Sequence, residues 1–428
     1  MCSQQRALQE RFPWSPTAGW TSDFAKAFKQ VAHLPFFIML VVIAQWCPDE
    51  GMVHFWIPLS QLFGGRSSPQ NFSRYPAWFC FELAMAFALS VQHCVDDMLG
   101  MDRLECVDIG WRAWRRFAAA LGWDVPDAKS PLPSRSYVAV GYLMDHSATP
   151  WSHAKLTMAE ARRDALMKYI RGYLSSRCLP GGEASSLFGR LGFGLNSAEG
   201  RFGRAMLRPI KRRQGERRSN LNRQLEASLN WWLKWLRRHV PRSIYVDLAS
   251  WPVVVSYSDG EGSGDGGVAV WHPALPKPRA AFLQVPWMLR RLWALQSSRT
   301  FKGTDQRDIF EIEAIGPLLL LDLWPELFRS VLWLHFIDNS SAQAALARGS
   351  STVESGDAIV GLTWERIVSL RCLPWFDRVA SKSNPVDGLS RGQLQGPWGE
   401  VVRAEVPKGL LHRLRDELTA SGVRVSGA

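Results

Sequence analysis

The chain has 428 residues, of which 46% are hydrophobic, and it carries a formal net charge of +12. This length predicts two or three domains rather than a single core, and the hydrophobic content excludes a mainly disordered chain. The positive charge favours a polyanionic partner, nucleic acid before an anionic membrane surface. Most of the 21 tryptophans are expected in the core, with some free to stack on bases.

Seven scattered cysteines without a C-x-x-C pair argue against a disulfide scaffold or a zinc module and favour a reducing compartment. They are Cys2, Cys47, Cys80, Cys94, Cys106, Cys178 and Cys372. The first thirty residues contain no apolar signal segment. The longest apolar run, 34–46, is too short to span a bilayer. The sequence therefore predicts an intracellular protein, cytoplasmic or nuclear, that is not secreted and has no membrane partner.

Along the chain, residues 1–20 are interpreted as a poorly structured lead-in. Asp23 is predicted at the end of a strand, and Ala27-Phe28 opens a short helical turn. Two β-prone runs, 37–46 and 52–59, flank a Pro-Asp-Glu-Gly turn and predict a hairpin. A glycine-rich loop then leads into a helix of about 20 residues, because a proline stands at the start of the helical pattern.

After this helix the chain reaches the adjacent carboxylates Asp96 and Asp97. Two neighbouring carboxylates repel each other unless a positive charge lies between them, and a divalent metal is the usual solution. The alternative is that both are solvated turn residues, since Asp is common in turns.

Three motifs stand in order here: Asp23-x-x-x-Ala-Phe, the Phe-Gly-x-x-x-x-Pro loop at 63–69, and Val-Asp-Asp ending at Asp97. In order and approximate spacing they resemble the palm motifs of reverse transcriptases. Segments 117–123, 127–130 and 138–141 look like the helix, lysine and strand that close the palm in that family. The most similar version is that of gypsy and DIRS-like retrotransposons.

The resemblance implies that Asp23, Asp96 and Asp97 bind two Mg²⁺ (or Mn²⁺) ions for nucleotidyl transfer from deoxynucleoside triphosphates. Phe28 would lie beneath the sugar of the incoming nucleotide. The alternative for Phe28 is an ordinary core aromatic.

The same resemblance assigns nucleotide and template contacts to Gly64, Gly65 and Ser67, with a plain helix-entry loop as the alternative. Lys129 would act near the pyrophosphate, or else be a solvated surface lysine. The chain departs from the family at Cys94, where an aromatic residue is usual. Only 22 residues precede Asp23, so the fingers that grip the triphosphate are expected to be largely missing.

Residues 147–246 are predicted to be helical and basic, with helical spacing of apolar residues over 154–174. The run 187–193 resembles the small helical connection after the palm. Between 201 and 223 nine Lys or Arg residues accompany one acid, which indicates either phosphate contacts or a solvated face. Nucleic-acid backbone contacts are assigned to Arg208, Lys211, Arg212 and Arg213. The tryptophan-rich run 231–236 is interpreted as a helix packing between domains rather than a base-stacking platform.

From residue 251 the pattern changes to α/β. A β-branched strand ends at Asp259, a return strand covers 266–271, and an apolar helix begins at Ile309. A second buried strand ends at Asp338, and the segment 383–391 places Asp387 at the start of a short helix.

This series resembles the ribonuclease H domain of the same retrotransposons, and the 384–391 segment is its most distinctive part. The implied metal ligands are Asp259, Glu311, Asp338 and Asp387. Glu311 is preferred to Glu313, because Ala314 then matches the family's Glu-x-x-Ala spacing. These ligands would hold two Mg²⁺ for attack of water on an RNA phosphodiester. No histidine lies between 339 and 411, so the mobile histidine of some members is missing.

The resulting prediction is a multidomain chain of α/β and α+β class. Its parts are a lead-in (1–20), a palm (21–146), a basic helical thumb or connection (147–246), a ribonuclease H-like mixed sheet with helices (250–395) and a polar tail (396–428) with one helix at 409–418. The predicted function is that of an N-terminally truncated retrotransposon reverse transcriptase with ribonuclease H, in which hydrolysis of RNA in RNA–DNA hybrids is the better-supported activity. Its partners would be RNA, DNA and their hybrids. The alternative is a catalytically inactive nucleic-acid-binding remnant.

Overall fold

The chain divides into two compact units in a computed structural model that describes residues 2–33, 36, 42–62, 66–238, 240–245, 248–296 and 308–411. The first unit comprises 1–159 and 242–247, and the second comprises 160–241 and 248–428. Several separate sheets and many helices make up these units. The predicted class, a multidomain chain of mixed α/β and α+β structure, is confirmed.

The first unit contains three described helices and nine strands. The helices are α1 (Cys2–Arg11), α2 (Ser68–Phe87) and α3 (Val107–Ala120). The strands are β1 (Thr17–Asp23), β2 (Ile43–Cys47), β3 (Met52–Trp56), β4 (Val91–Cys94), β5 (Asp97–Arg103), β6 (Ser136–Ala139), β7 (Tyr142–Asp145), β8 (His153–Met158) and β9 (Arg242–Tyr245). Short 3₁₀ turns at Ala27–Gln30 and Asp127–Lys129 complete the set.

An antiparallel sheet in the order β1-β5-β4 carries Asp23 and Asp97 of the predicted palm motifs. The register pairs Asp23 with Asp97 and Trp20 with Gly100. A Cβ on Gly100 would come within 2.2 Å of the Trp20 ring, so only glycine lets this indole lie flat across the sheet. An aromatic core packs beneath, formed by Phe24, Phe28, Phe72, Phe79 and Trp114.

The predicted hairpin is confirmed as an antiparallel pair of β2 and β3. Its second strand ends at Trp56 rather than at residue 59, and residues 37–41 of its first predicted strand lie outside the described residues. The helix predicted after the glycine-rich loop is α2, which is 20 residues long with a proline in its first turn.

Two predictions for the first unit are wrong. Residues 1–20 are not an unstructured lead-in, because they form α1 and most of β1. Buried Gln5 on α1 hydrogen-bonds Thr17 at 3.0 Å, and this contact anchors the helix. The helical prediction over 154–174 also fails in its first part, where β8 pairs with β7 and β9. This non-local pairing overrides the local helical spacing.

The second unit contains nine described helices and six strands. The helices are α4 (Glu160–Ser176), α5 (Gly181–Gly194), α6 (Arg208–Arg213), α7 (Arg223–Arg238), α8 (Trp287–Gln296), α9 (Ile309–Leu323), α10 (Ser340–Arg348), α11 (Glu354–Leu370) and α12 (Asp387–Ser390). The strands are β10 (Val253–Gly260), β11 (Asp265–Trp271), β12 (Arg279–Gln284), β13 (Leu332–Ile337), β14 (Leu373–Arg378) and β15 (Val401–Ala404). Among the described residues, we find no helix with the length and apolar character needed to cross a membrane.

A six-stranded mixed sheet in the order β14-β13-β10-β11-β12-β15 forms the centre of this unit. Strands β10, β13 and β14 are parallel neighbours, whereas β10, β11 and β12 form an antiparallel meander. Asp259 lies near the end of β10, and Asp338 directly follows β13. Because β10 and β13 are parallel, the two carboxylates emerge at the same edge of the sheet.

Helix α9 packs unusually close to β10. A Cβ on Gly316 would lie 2.4 Å from Cβ of Ser258, and one on Gly260 would lie 3.2 Å from the backbone nitrogen of Glu313. Glycines on both elements therefore permit a contact that larger residues would prevent. Every residue of α9 from Glu311 to Leu321 is buried.

The predicted polar tail contains a strand. β15 pairs in parallel with β12 and extends the sheet, so the prediction of a helix as the only structure after 396 is wrong for this part. Residues 412–418 of the predicted helix 409–418 lie outside the described residues. The short helix predicted at Asp387 is confirmed as α12.

Candidate active site

Three carboxylates from separate elements of the second unit converge at one edge of its sheet. Asp259 comes from β10, Glu313 from α9 and Asp338 from the end of β13, and their ligand oxygens lie within 4.8 Å of one another. Asp259 and Glu313 are buried, whereas Asp338 is partly exposed. We call these three residues the second carboxylate group.

Asp259 is held by the segment that includes α12. The Ser390 hydroxyl donates to its Oδ2 at 2.5 Å, and the Asn384 amide donates to its Oδ1 at 3.2 Å. Burial raises the pKa of Asp259 to about 6, with Asp338 and Asp387 adding to the rise and the Ser390 hydrogen bond opposing it. Sequence reasoning singled out this segment for Asp387 but did not identify Asn384 or Ser390 as the residues that orient Asp259.

Glu313 is the most deeply enclosed carboxylate of the group. Burial, followed by the neighbouring Asp338 carboxylate, raises the pKa of Glu313 to about 10. Its Oε2 is buried and has no hydrogen-bond partner among the described residues. Burial therefore disfavours the charged form of Glu313, and a bound cation would stabilise that form.

The structure does not bring Glu311, the residue predicted as the helix ligand, to the second carboxylate group. Glu311 points to the other side of α9, where its Oε1 accepts a hydrogen bond of 2.7 Å from Ser355 of α11. Two positions along an α-helix differ by about 200°, so Glu311 and Glu313 cannot share a face. The spacing of a glutamate followed by a small residue three positions later still holds when it is counted from Glu313. The small residue is then Gly316, which contacts the sheet.

Asp387 lies beside the group without joining it. Its carboxylate accepts a 2.9 Å hydrogen bond from Arg391, and it contributes to the raised pKa of Asp259. The same Arg391 lies 3.6 Å from Glu261. The fourth predicted ligand is therefore near enough to act electrostatically and is paired with an arginine.

The donor set is suited to a hard divalent cation. All three ligands of the second carboxylate group are carboxylate oxygens, which Mg²⁺ and Mn²⁺ prefer and which zinc sites rarely use alone. The buried, unpartnered oxygen of Glu313 supplies one ligand position. These residues can accommodate a magnesium or manganese ion.

The three predicted palm carboxylates, Asp23, Asp96 and Asp97, form the first carboxylate group. Asp23 and Asp97 are opposite each other across β1 and β5, and Asp96 lies in the turn before β5. Lys129 places its Nζ 2.5 Å from Oδ2 of Asp23. Burial, followed by Asp23 and Asp96, raises the pKa of Asp97 to about 6, and Lys129 opposes this rise.

The remaining residues predicted for this site are distributed differently. Phe28 is buried against Phe72, with ring centroids 5.0 Å apart, as in the core alternative. Ser67 is exposed immediately before α2. Gly64 and Gly65 lie outside the described residues. Lys129 contacts the Asp23 carboxylate of the first carboxylate group.

Two arginines of the basic segment 201–223, Arg212 and Arg213, contact groups of their own unit. Arg213 is buried and donates to the carbonyls of Arg218 and Asn220, the latter at 2.7 Å. Arg212 pairs with Glu354 of α11. The structure therefore does not present Arg213 for the predicted nucleic-acid backbone contact, because its guanidinium binds the carbonyls of its own loop.

Arg208 and Lys211 differ in the same segment. Arg208 approaches Asp357 of α11 at 3.7 Å, so it also faces a carboxylate of its own unit. Lys211 is exposed. The tryptophan-rich run lies on α7, where Trp232 and Trp235 are buried within this unit.

A buried polar chain that sequence reasoning missed lies under α9. His335 of β13 is fully buried between the hydroxyls of Ser256 and Ser258, at 2.8 and 3.1 Å. The Trp333 indole N–H donates to Ser256 at 2.7 Å. Burial lowers the pKa of His335 to about 3, so the ring is neutral near pH 7. These hydrogen bonds join β10 to β13 just before Asp259 and Asp338.

Comparison with known proteins gives structural matches and no sequence family. No family model matches the chain, and no curated protein matches it. Its fold is similar to the foamy viral protease-reverse transcriptase dRH in complex with double-stranded DNA, with a TM-score of 0.43, 15% identity, and coverage of 85% of this chain and 57% of that chain. The foamy viral protease-reverse transcriptase in complex with an RNA/DNA hybrid matches with a TM-score of 0.43 and 14% identity, over 86% of this chain and 44% of that chain. The chain thus spans about half the length of these two matched chains.

Proposed function

We propose that this chain is a retroelement-derived nuclease that hydrolyses the RNA strand of RNA–DNA hybrids at the second carboxylate group. The observation that carries the proposal is the convergence of Asp259, Glu313 and Asp338, with ligand oxygens within 4.8 Å of one another. Bound there, Mg²⁺ or Mn²⁺ would activate water and stabilise charge on the phosphate. The net positive charge of the chain supports a polyanionic substrate.

The protein's own residues supply the geometry. Asn384 and Ser390 fix the orientation of Asp259, and the close contact of Gly316 with β10 fixes the depth of Glu313. Asp387 lies at the edge and is paired with Arg391. A charged, exposed arginine there is also suited to contact a phosphate of the substrate backbone.

The test uses two glutamates of the same helix. A labelled RNA–DNA hybrid is incubated with Mg²⁺ and the parent, Glu313→Gln or Glu311→Gln chain. Because the raised pKa of Glu313 keeps it neutral without metal, glutamine should preserve folding. We expect Glu313→Gln to slow cleavage roughly 10²-fold or more, since even outer-shell changes at metal sites typically cost 10–100-fold.

Glu311→Gln is the matched control. Its Oε1 can still accept the Ser355 hydrogen bond, so cleavage should remain near the parent rate. An uncut hybrid with the parent chain, or equal rates for parent and Glu313→Gln, would refute the proposal. Hybrid binding without cleavage would favour the inactive nucleic-acid-binding remnant.

A second candidate function is DNA synthesis at the first carboxylate group. The opposed Asp23 and Asp97, with Asp96 in the adjoining turn, favour it. Primer extension on an RNA template with deoxynucleoside triphosphates, comparing the parent with Asp96→Asn, tests it. Extension by the parent that is lost in the variant is the expected result, and no extension by the parent would exclude synthesis without affecting the nuclease proposal.

A further inference from the structure

The β2–β3 hairpin carries a cluster of potential metal ligands outside both carboxylate groups. Cys47, Glu50 and His54 each offer a ligand atom, and these atoms lie within 4.8 Å of one another. Cys47 and His54 are partly buried, and Glu50 is exposed. Sequence reasoning found no zinc spacing, because the three residues become neighbours only once the hairpin register is known.

The register explains the cluster. Gln45 pairs with His54 and Cys47 pairs with Met52. Side chains alternate between the faces of a strand, so Cys47 and His54 lie diagonally across the same face. Glu50 stands in the connecting turn, which Gly51 closes with a φ of +65°. The turn therefore directs the carboxylate back over the face that carries the thiol and the imidazole.

We propose that Cys47, Glu50 and His54 bind a Zn²⁺ ion at the tip of this hairpin. Thiolate, imidazole and carboxylate are all zinc ligands, and the mixed set with sulfur disfavours Mg²⁺ and Ca²⁺. Nε2 of His54 and Oε2 of Glu50 share a hydrogen bond of 2.8 Å. Zinc would take the place of this hydrogen bond: the neutral imidazole of His54 would carry its proton on Nδ1 and bind through Nε2, and the thiol proton of Cys47 would pass to water. Water would complete a tetrahedral site.

Two features of the hairpin agree with such a site. The His54 ring is stacked beside Trp56, with an interplanar angle of 18° and centroids 6.1 Å apart, which limits its rotation. The pair of strands forms a sheet of its own, and an isolated two-stranded hairpin is marginally stable. A metal that joins β2, the turn and β3 would therefore stabilise the hairpin.

The experiment titrates the reduced, full-length, metal-free chain with Co²⁺ in excess Mg²⁺, which occupies carboxylate sites. A thiolate bound to Co²⁺ gives a near-ultraviolet charge-transfer band, and tetrahedral Co²⁺ gives visible bands that all-oxygen sites lack. We expect both in the parent, displaced by Zn²⁺ at one ion per chain. Cys47→Ser should abolish the charge-transfer band, and His54→Gln should weaken binding at least tenfold.

Cys94→Ser is the matched control, because Cys94 is exposed and adjoins two carboxylates of the first carboxylate group. The band should persist in that variant. A parent without the band, a band that survives Cys47→Ser, or one that disappears in Cys94→Ser would overturn the proposal. As a second readout, Zn²⁺ should slow amide exchange over residues 43–56 in the parent and not in His54→Gln.

Discussion

The first carboxylate group lies at the end of a β-hairpin, where Lys129 reaches Asp23, whereas the second carboxylate group is enclosed between a sheet and a helix. In the first group a lysine already supplies positive charge. In the second, the groups that raise the pKa of Glu313 besides burial are the carboxylates Asp338 and Asp259. Similar side chains therefore face different electrostatic demands, and the second group has the greater need for a cation.

The largest expected effect is a difference in metal-induced stability. With Mn²⁺ at about 100 times its dissociation constant, binding to the folded state alone adds about 2.7 kcal/mol to the free energy of unfolding. We expect Asp338→Asn to remove most of this gain and Asp96→Asn to leave it, as measured by denaturant unfolding with and without Mn²⁺. Equal losses in the two variants would remove the distinction between the groups.

The next prediction tests the close packing of α9 on β10, which positions Glu313 of the second carboxylate group. Gly316→Ala places a methyl group 2.4 Å from Cβ of Ser258, and overpacking of this kind costs roughly 1–3 kcal/mol. Helix propensity alone predicts the opposite sign, a gain of about 1 kcal/mol.

Gly172→Ala on α4 is the control for that measurement, because a Cβ there meets no atom within 4 Å. It should stabilise the chain by roughly 0.5–1 kcal/mol. If both alanine variants stabilise, α9 does not pack tightly against β10 at Gly316.

The last prediction concerns two buried histidines among the described residues, one in each unit. His335 has a pKa lowered to about 3 and His146 one lowered to about 4, both mainly by burial. Below pH 6.5 each histidine is protonated in the unfolded chain but stays neutral in the folded chain until the pH reaches its folded pKa. Each histidine therefore lowers the free energy of unfolding as the pH falls toward that folded pKa. His335→Gln should flatten the slope by about 1.4 kcal/mol per pH unit between pH 4 and 6.

His146→Gln should flatten the slope over the narrower window between its folded pKa and 6.5. Urea unfolding at several pH values measures both variants against the parent. An unchanged slope in His335→Gln would mean that this ring is accessible to protons in the folded chain.

The sequence was sufficient to predict the acidic residues at the strand ends, Asp259 and Asp338, but not which acidic residue of helix α9 joins them. Asp259 and Asp338 follow β-branched or apolar runs, and a strand that ends in a carboxylate is readable from pattern alone. Helix α9 is buried on all sides, so no polar stripe fixes its rotation. Glu311 and Glu313 each precede a small residue by three positions, and only the packing of Gly316 on Ser258 distinguishes them.

The missed elements share a dependence on distant partners. β8 pairs with β9, more than eighty residues later, and β15 pairs with β12, more than a hundred residues earlier. Arg213 looks like any other basic residue of its run until the carbonyls of its loop surround it. Local propensity cannot report such pairings, whereas it was sufficient for α2, the β2–β3 hairpin and α12.

The hydrogen bond from Ser390 to Asp259 spans 131 residues of the sequence. During synthesis Asp259, Glu313 and Asp338 all leave the ribosome before Ser390 does, so a nascent chain carries its acids without the residue that orients the first of them. Domains are completed as units once their last element is available. A nascent chain therefore cannot orient Asp259 through this hydrogen bond until the segment around Ser390 has emerged.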